Sequence, residues 1–350
     1  MFKKISDALG LGAVERFSVA RFKHTEAILD RNLIVSKENC DLMVETIREI
    51  SEIVIWGDGH NQAITEVFLE HHVLEKLLSY FEPARRTPKP VKVQILQTLS
   101  IFFQNLQSDT IIFYLLSNNH LNELITHRFD FHDDELMSYY ISFLKALSLR
   151  LNADTIHFFF NPGKVPEFPL LTEALRFAGH EDHMVRTAVR MVTLHVYRIE
   201  DEDMRAFVAT RTATAYFSNL VWDLLRRYRQ MDRLIQAAGR VSSPRELLPL
   251  RGSLESLLQE QLDVLYYVKD IYTAGVPPLS ATLSSRLLHQ LLTHVCFEAL
   301  APEAPRTAHL SPAPDGAPGA ARYMLDADPV CRALALFVLA QVSCPAPLRA

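Results

Sequence analysis

Cysteine is scarce in this sequence: there are four, Cys40, Cys296, Cys331 and Cys344, in 350 residues, and none falls in a CxxC pair or at zinc-knuckle spacing. That excludes a disulfide framework and a cysteine-built zinc site, and the thiols are expected to be reduced. Neither sign of charge is in large excess. A formal net charge of −5 provides no general field for holding phosphates, so nucleic acid is not an expected partner. No window approaches about 18 consecutive apolar residues, so nothing is expected to span a bilayer and membrane contact would be peripheral. The opening "MFKKISDALGLGAVERF" lacks the unbroken apolar stretch and small-residue cleavage site of a secretory signal, which points to the cytoplasm. Absent too are GxSxG, HExxH, GxGxxG, GxxxxGK[ST] and DxDxDG patterns. Catalysis therefore has no visible foothold, and neither an enzyme activity nor a cofactor is expected.

What is present is apolar content, 49% of the chain, arranged at helical spacing. In "LMVETIREISEIVIWG" the residues Leu42, Met43, Ile47, Ile50, Ile53 and Val54 recur in steps of three and four, and Gly57 and Gly59 are expected to stop the helix. "NQAITEVFLEHHVLEKLLSYF" continues the rhythm, with His71 and His72 inside it on a solvated face. Their side chains would point about 100° apart, too far to clasp one metal ion unaided. Pro83, Pro88 and Pro90 then break the chain before the broad stripe Ile95, Leu96, Leu99, Phe102, Phe103 and Leu106. Helices this short cannot shelter their own stripes and bury them by stacking, so the expected fold is all-α, an armadillo-like helical-repeat solenoid. "HEDHMVRTAVRMVTLHVYRI" is the most repeat-like piece, with Val185, Ala188, Val189 and Val192 on one face and Arg186 and Arg190 on another.

The segment "HRFDFHDDELMSYYISFLKALSLRLN" sets two histidines and three aspartates within eight residues. A metal site needs three or four converging ligands. His127, Asp130 and His132 share one short loop. Asp133 and Asp134 stand directly before the stripe Leu136, Tyr140, Phe143, Leu144, Leu147 and Leu151, where a helix start favours acids that accept its unpaired N–H groups. Capping is the favoured reading, and no metal is expected. "WGDGHN" at Trp56–Asn61 reads as a helix end and corner.

Several whole phrases resemble the FPL-domain family, the ema-like endosomal and autophagy proteins misnamed C-type lectin domain family 16, with a plant vacuolar-trafficking branch. They are "MVETIREISEIVIWGD" with Trp56, Gly57 and Asp58, "LLSNNHLNELITHRFDF" with Asn118 and Asn119, and "DELMSYYISFLKALSLRLN". To these add "IHFFFN", "EFPLLTEALRFAGHEDHMVRTAVR" with Phe168, Pro169 and Leu170 as well as Arg186 and Arg190, and "AYFSNLVW". The likeness is dense over about residues 20–222 and thinner in "LDVLYYVKDIY" and "ALALFVLAQV". It implies a non-catalytic adaptor on endosomal, lysosomal, vacuolar or autophagic membranes, with a Rab-type GTPase or a tethering complex as partner. The alternative it implies is a helical scaffold in a RING ubiquitin-ligase assembly controlling mitophagy. Paired cysteines and the EPN and WND motifs of a C-type lectin are lacking, so no carbohydrate is expected.

The expected organisation is a lead-in at 1–20, the FPL-type helical domain at 21–222, and further helices at 223–300 interrupted by a loop near 238–252. In that loop stand Gly239, Ser242, Ser243, Pro244, Pro249 and Gly252. An Ala/Pro-rich insert follows at 301–327, then another helix at 328–350, with the family pattern continuing past the end of this sequence. The candidate partner surface is basic: Arg186 and Arg190, with Arg226, Arg227, Arg229 and Arg233 further on.

Overall fold

The computed structural model describes residues 15–117 and 119–297. The expected insert, the final helix, Cys331, Cys344 and Asn118 lie outside them. The described residues form an all-α helical solenoid in the first of two compact units, Met1–Asp201, followed by a helical second unit that begins at Glu202. The first unit thus ends short of the expected boundary at 222, which falls inside a long helix of the second.

In the first unit the helices are α1 (Val19–Arg31), α2 (Cys40–His60), α3 (Gln62–Glu70), α4 (Val73–Leu78), α5 (Lys89–Asn105), α6 (Asp109–Ser117), α7 (His120–Ile125), α8 (Asp134–Ser148), α9 (Pro169–Leu175) and α10 (His183–Tyr197). The long helices α2, α5, α8 and α10 begin at residues 40, 89, 134 and 183, a recurrence every 45 to 49 residues. Each packs on the next, while the shorter helices form a second row, α3 on α6, α4 on α7 and α7 on α9. That is the arrangement helices adopt when none can bury its stripe alone.

The stripe on α5 shows why it holds. Ile95, Leu96, Leu99, Phe102, Phe103 and the following Leu106 are all fully buried. Phe102 meets Phe68 of α3 edge to face at 5.8 Å, and Phe103 lies 6.4 Å from Phe143 of α8. Pro90 does not precede the helix but stands in its first turn, where its missing N–H has no partner to lose. Arg150, beyond the end of α8, ties that helix to the end of α5 by donating from Nη2 to the Leu106 carbonyl (2.6 Å) and from Nε to that of Phe103.

The second unit opens with α11 (Glu202–Phe207), which runs through a π-helical turn at Val208–Thr212 into α12 (Ala213–Ala238). A short connection at 239–243 leads to α13 (Pro244–Thr273). Gly275, at φ 68°, closes the end of α13 in the left-handed region that suits glycine. Then come α14 (Pro277–Arg286) and a π-helical stretch, Leu287–Phe297, both against α12. The Tyr216 hydroxyl of α12 donates to that of Tyr267 on α13 at 2.9 Å, a buried bond across the hairpin.

Three expectations are corrected here. Gly57 and Gly59 do not stop α2, which continues through both to His60. The His71–His72 pair is not on a solvated helix face: it is the break between α3 and α4, with His72 left-handed at φ 51°. The loop expected at 238–252 is confined to 239–243, and α13 runs straight through Pro249 and Gly252.

Candidate interaction surfaces

The end of α2 is a built corner. Gly57 is buried because α3 crosses so close that a Cβ there would lie 2.8 Å from the Ile64 Cβ. Asn61 ends α2 and caps α3, its side chain accepting from the Ala63 N–H at 3.2 Å. Asp58 Oδ2 reaches to the connection after α5 and accepts from the N–H groups of Gln107 (2.6 Å) and Ser108 (3.2 Å), directly before α6. Trp56 lies stacked between Phe17 at 5.2 Å and His60 at 4.9 Å. Of the family-signature residues, Trp56, Gly57 and Asp58 therefore join helices, and no phosphate cradle forms.

The acid-rich loop behaves as a helix start. Asp133 caps α8 by accepting from the N–H groups of Glu135 and Leu136, both at 3.1 Å. Lys89 Nζ bridges Asp133 (2.6 Å) and Glu135 (2.7 Å), fastening the first turns of α5 and α8 together. That lysine, then the Leu136 N–H, hold the Asp133 carboxyl below its ordinary range. His127 packs edge to face on Phe129 at 4.6 Å and Phe81 at 5.6 Å, and burial, then Lys92, lower its pKa. Asp130 accepts from the His132 N–H. Among the described residues no group of three or more His, Cys, Asp or Glu side chains is placed to hold a metal ion.

The Phe168-Pro169-Leu170 triplet is structural: Phe168 and Leu170 are buried, Pro169 starts α9, and Phe168 packs edge to face on Phe160 at 5.9 Å. Ahead of it, paired backbone bonds between Asn161 and Glu167 (2.9 and 3.0 Å) pinch off an exposed five-residue loop. Asn119 is exposed just before α7 and accepts from Asn122 at 3.3 Å.

The basic candidate surface is largely inside the protein. Arg186, Arg190 and Arg227 are buried, at 9, 8 and 3% exposed, so they cannot form a docking face. Arg186 donates from Nη1 to the carbonyls of His180 (2.8 Å) and Glu181 (2.6 Å), stapling the connection before α10 to the helix. Arg227 pairs with Asp223 at 2.6 Å and lies 3.6 Å from Glu260 of α13. Arg226 is exposed and engaged by Asp223 at 2.6 Å, Arg229 is half-buried, and Arg233 is exposed.

One Ser–His contact has the wrong polarity for nucleophilic chemistry. The buried Ser148 hydroxyl donates its single proton to the Lys145 carbonyl at 2.7 Å, so it accepts from His195 Nδ1 at 2.8 Å. A nucleophile would have to hand that proton to the base.

The stretch "RNLIVSKEN" after α1 forms a surface that helical periodicity does not announce. Several of its backbone and amide groups bond within the protein. Asn39 accepts from the Ser36 N–H (2.8 Å) and donates to Asn32 Oδ1 (3.0 Å) and the Ile34 carbonyl (3.2 Å), while Arg85 donates to the Leu33 carbonyl at 2.9 Å. Val35 is buried and Leu33 and Ile34 are 54 and 74% exposed, so a rigid loop presents two aliphatic side chains to solvent. Beneath it is a cleft of about 270 Å³, lined in part by Leu29, Leu33, Lys76, Tyr80 and Arg85. Its wall is braced by Glu26, a buried carboxylate held by His71 (2.6 Å) and Lys76 (2.7 Å). The aliphatic run between Asn32 and Asn39 is the signal that could have exposed this surface.

Residues 47–197 match the family model described as "FPL: Uncharacterised conserved protein". The chain belongs to the FPL family. Its FPL domain covers α2 from Ile47 through the whole of α10, so the recurring long helices lie in or at the edge of the matched span. Outside the domain the similarity continues. The chain is 40% identical to Protein CLEC16A of Homo sapiens over 276 residues, 78% of this chain and 25% of that protein. It is 40% identical to the Protein CLEC16A homolog of Drosophila melanogaster over 290 residues, 83% of this chain and 26% of that protein. Protein TRANSPARENT TESTA 9 of Arabidopsis thaliana is 36% identical over 292 residues, 83% of this chain and 34% of that protein. The chain thus spans about a quarter to a third of the length of these relatives. No solved structure matches it. Among the described residues no helix is long and apolar enough to cross a membrane.

Proposed function

We propose that this FPL protein is a non-catalytic adaptor in endosomal, lysosomal or vacuolar trafficking and autophagy, acting peripherally at those membranes through protein partners of the Rab-type GTPase or tethering class. Family membership supports the cellular setting. The preorganised Leu33–Ile34 loop above its cleft supports the mode of action: its carbonyls are already bonded to Asn39 and Arg85, so a partner covering the two aliphatic side chains has little backbone left to order. A packed helical stack is the kind of scaffold that holds such loops in place.

The test is proximity labelling in cells with the full chain as bait, followed by direct binding of the labelled candidates to purified protein. The adaptor reading expects Rab-type GTPases and tethers to dominate, and Leu33→Asp with Ile34→Asp to reduce direct binding without altering the helical circular dichroism. If a RING ligase and its ubiquitin machinery dominate and bind directly, the ligase-scaffold reading replaces it.

A further inference from the structure

The connection between α12 and α13 reads "GRVSSPRE" over 239–246. Arg240 and Val241 still donate their N–H groups back to the end of α12, to the carbonyls of Ala237 (3.1 Å) and Ala238 (3.3 Å). Ser242 and Ser243 donate nothing. Among the described residues neither serine gives a hydrogen bond from its N–H or its hydroxyl, although Ser243 stands where a helix usually takes a capping side chain. Pro244 follows, and a proline biases the residue before it toward extended backbone. Ser243 has that shape already, at φ −90° and ψ 126°. A serine in extended backbone, with an unused hydroxyl and a proline after it, is suited to enter the cleft of an enzyme that modifies it.

The flanking charge says which modification it would hold. Arg240 lies three residues before Ser243 and Arg245 two after it, one on each side of the connection. Both are exposed, and among the described residues neither guanidinium has a partner. Their counterparts along the two helices are engaged: Arg226 holds Asp223 and Arg251 holds Glu255. Glu246 is the one acid in the stretch, so two arginines face it and a phosphate with nearly two negative charges would have both to pair with. The start of α13 offers little by itself. Pro244 has no N–H, and those of Glu246 and Leu247 are bonded to the Ser243 carbonyl, both at 3.1 Å.

What such a phosphate would govern is α13. From Pro244 to Glu260 no residue is buried, over about 25 Å of helix at 1.5 Å per residue, and Pro249 and Gly252 stand inside that stretch. A helix of this length without burial is marginal in water, so its order depends on how its start is held. We propose that Ser243 is a phosphorylation site, and that the phosphoserine clamps Arg240 to Arg245 and so firms the unburied half of α13. The donor is ATP, used by a protein kinase that reads the proline after its acceptor. The Ser243 Oγ forms a bond to the γ-phosphorus as the bond to the β–γ bridging oxygen breaks; ADP leaves and the hydroxyl proton goes to solvent.

The experiment treats the purified full chain with MgATP and a proline-directed protein kinase, then reads it by mass spectrometry and amide hydrogen exchange. One phosphate is expected on Ser243: Ser242→Ala keeps it, Ser243→Ala loses it, and Pro244→Ala slows its transfer by about tenfold or more. Exchange across residues 244–260 is expected to slow by about tenfold on phosphorylation. Most of that slowing should vanish in the phosphorylated Arg245→Ala variant, a change at an exposed position. The proposal is overturned if Ser243 of the full chain takes no phosphate, whether or not a peptide of residues 237–250 does. It is also overturned if phosphorylated Ser243 leaves exchange of 244–260 unchanged, or if the slowing persists when Arg240 and Arg245 are both alanine.

Discussion

α5 and the stretch Pro244–Glu260 of α13 are seventeen helical residues each, both with apolar side chains at steps of three and four, and they differ in what covers them. α5 buries ten of its seventeen residues, so its folding is secured by neighbours on both sides. The seventeen residues from Pro244 to Glu260 bury none, and they also carry the proline and the glycine that α5 lacks inside its turns. The comparison teaches that periodicity declares which face of a helix wants cover, while burial depends on whether this chain supplies it.

The largest expected effect tests that difference. Phe102→Ala in α5 should cost about 3–5 kcal/mol in chemical denaturation, since a fully buried ring leaves a cavity. Leu254→Ala, at a half-covered position of α13, should cost less than about 1 kcal/mol. Equal costs would dissolve the contrast. Next comes the pair of neighbouring arginines on α12. Arg227→Ala removes the buried partner of Asp223 and should destabilise by roughly 2–4 kcal/mol. Arg226→Ala breaks a bridge to the same aspartate at an exposed site and should change stability by less than about 0.5 kcal/mol.

Two glycines two residues apart in α2 should move in opposite directions. A Cβ at position 57 would meet the Ile64 Cβ, near the α3 backbone, so Gly57→Ala should lower the melting temperature at a cost of about 1–3 kcal/mol. Nothing lies within 4 Å of a Cβ at position 59, and Gly59→Ala should stabilise by about 0.5–1 kcal/mol. The smallest effect is at Asp133. Its folded pKa is depressed by Lys89 and by the N–H groups it caps, so its contribution is present above the usual carboxylate range and fades as pH falls through the lower folded value. Asp133→Asn keeps a capping oxygen and loses the charge. Denaturation midpoints of the variant should therefore vary less between pH 5 and the acid limit than those of the parent, and an unchanged acid dependence would remove Asp133 from the account.

Much of this fold was legible because period and capping act locally. The α5 stripe, the Asp133 cap and the all-helical class follow from nearest neighbours along the chain, and so did the FPL phrases. What was not legible depends on the other side of a contact. Gly57 reads as a terminator until α3 is seen pressed against it, and His71–His72 reads as helix until Glu26 is seen holding His71. Arg186, Arg190 and Arg227 look like surface by composition. Long arginine stems can be covered while their heads meet carbonyls or carboxylates, as Arg186 does with the turn that precedes its own helix. Pro249 and Gly252 were read as a loop on sound local grounds. Their place inside α13 is the sharpest disagreement between sequence and structure, and it falls in the half of that helix where no residue is buried.

Amide hydrogen exchange followed by mass spectrometry tests this contrast most directly. The account predicts that α5 and the half of α13 from Gln261 onward are strongly protected, whereas residues 244–260 exchange fast. Protection of residues 244–260 equal to that of α5 would contradict it, because burial would then not be what secures these helices.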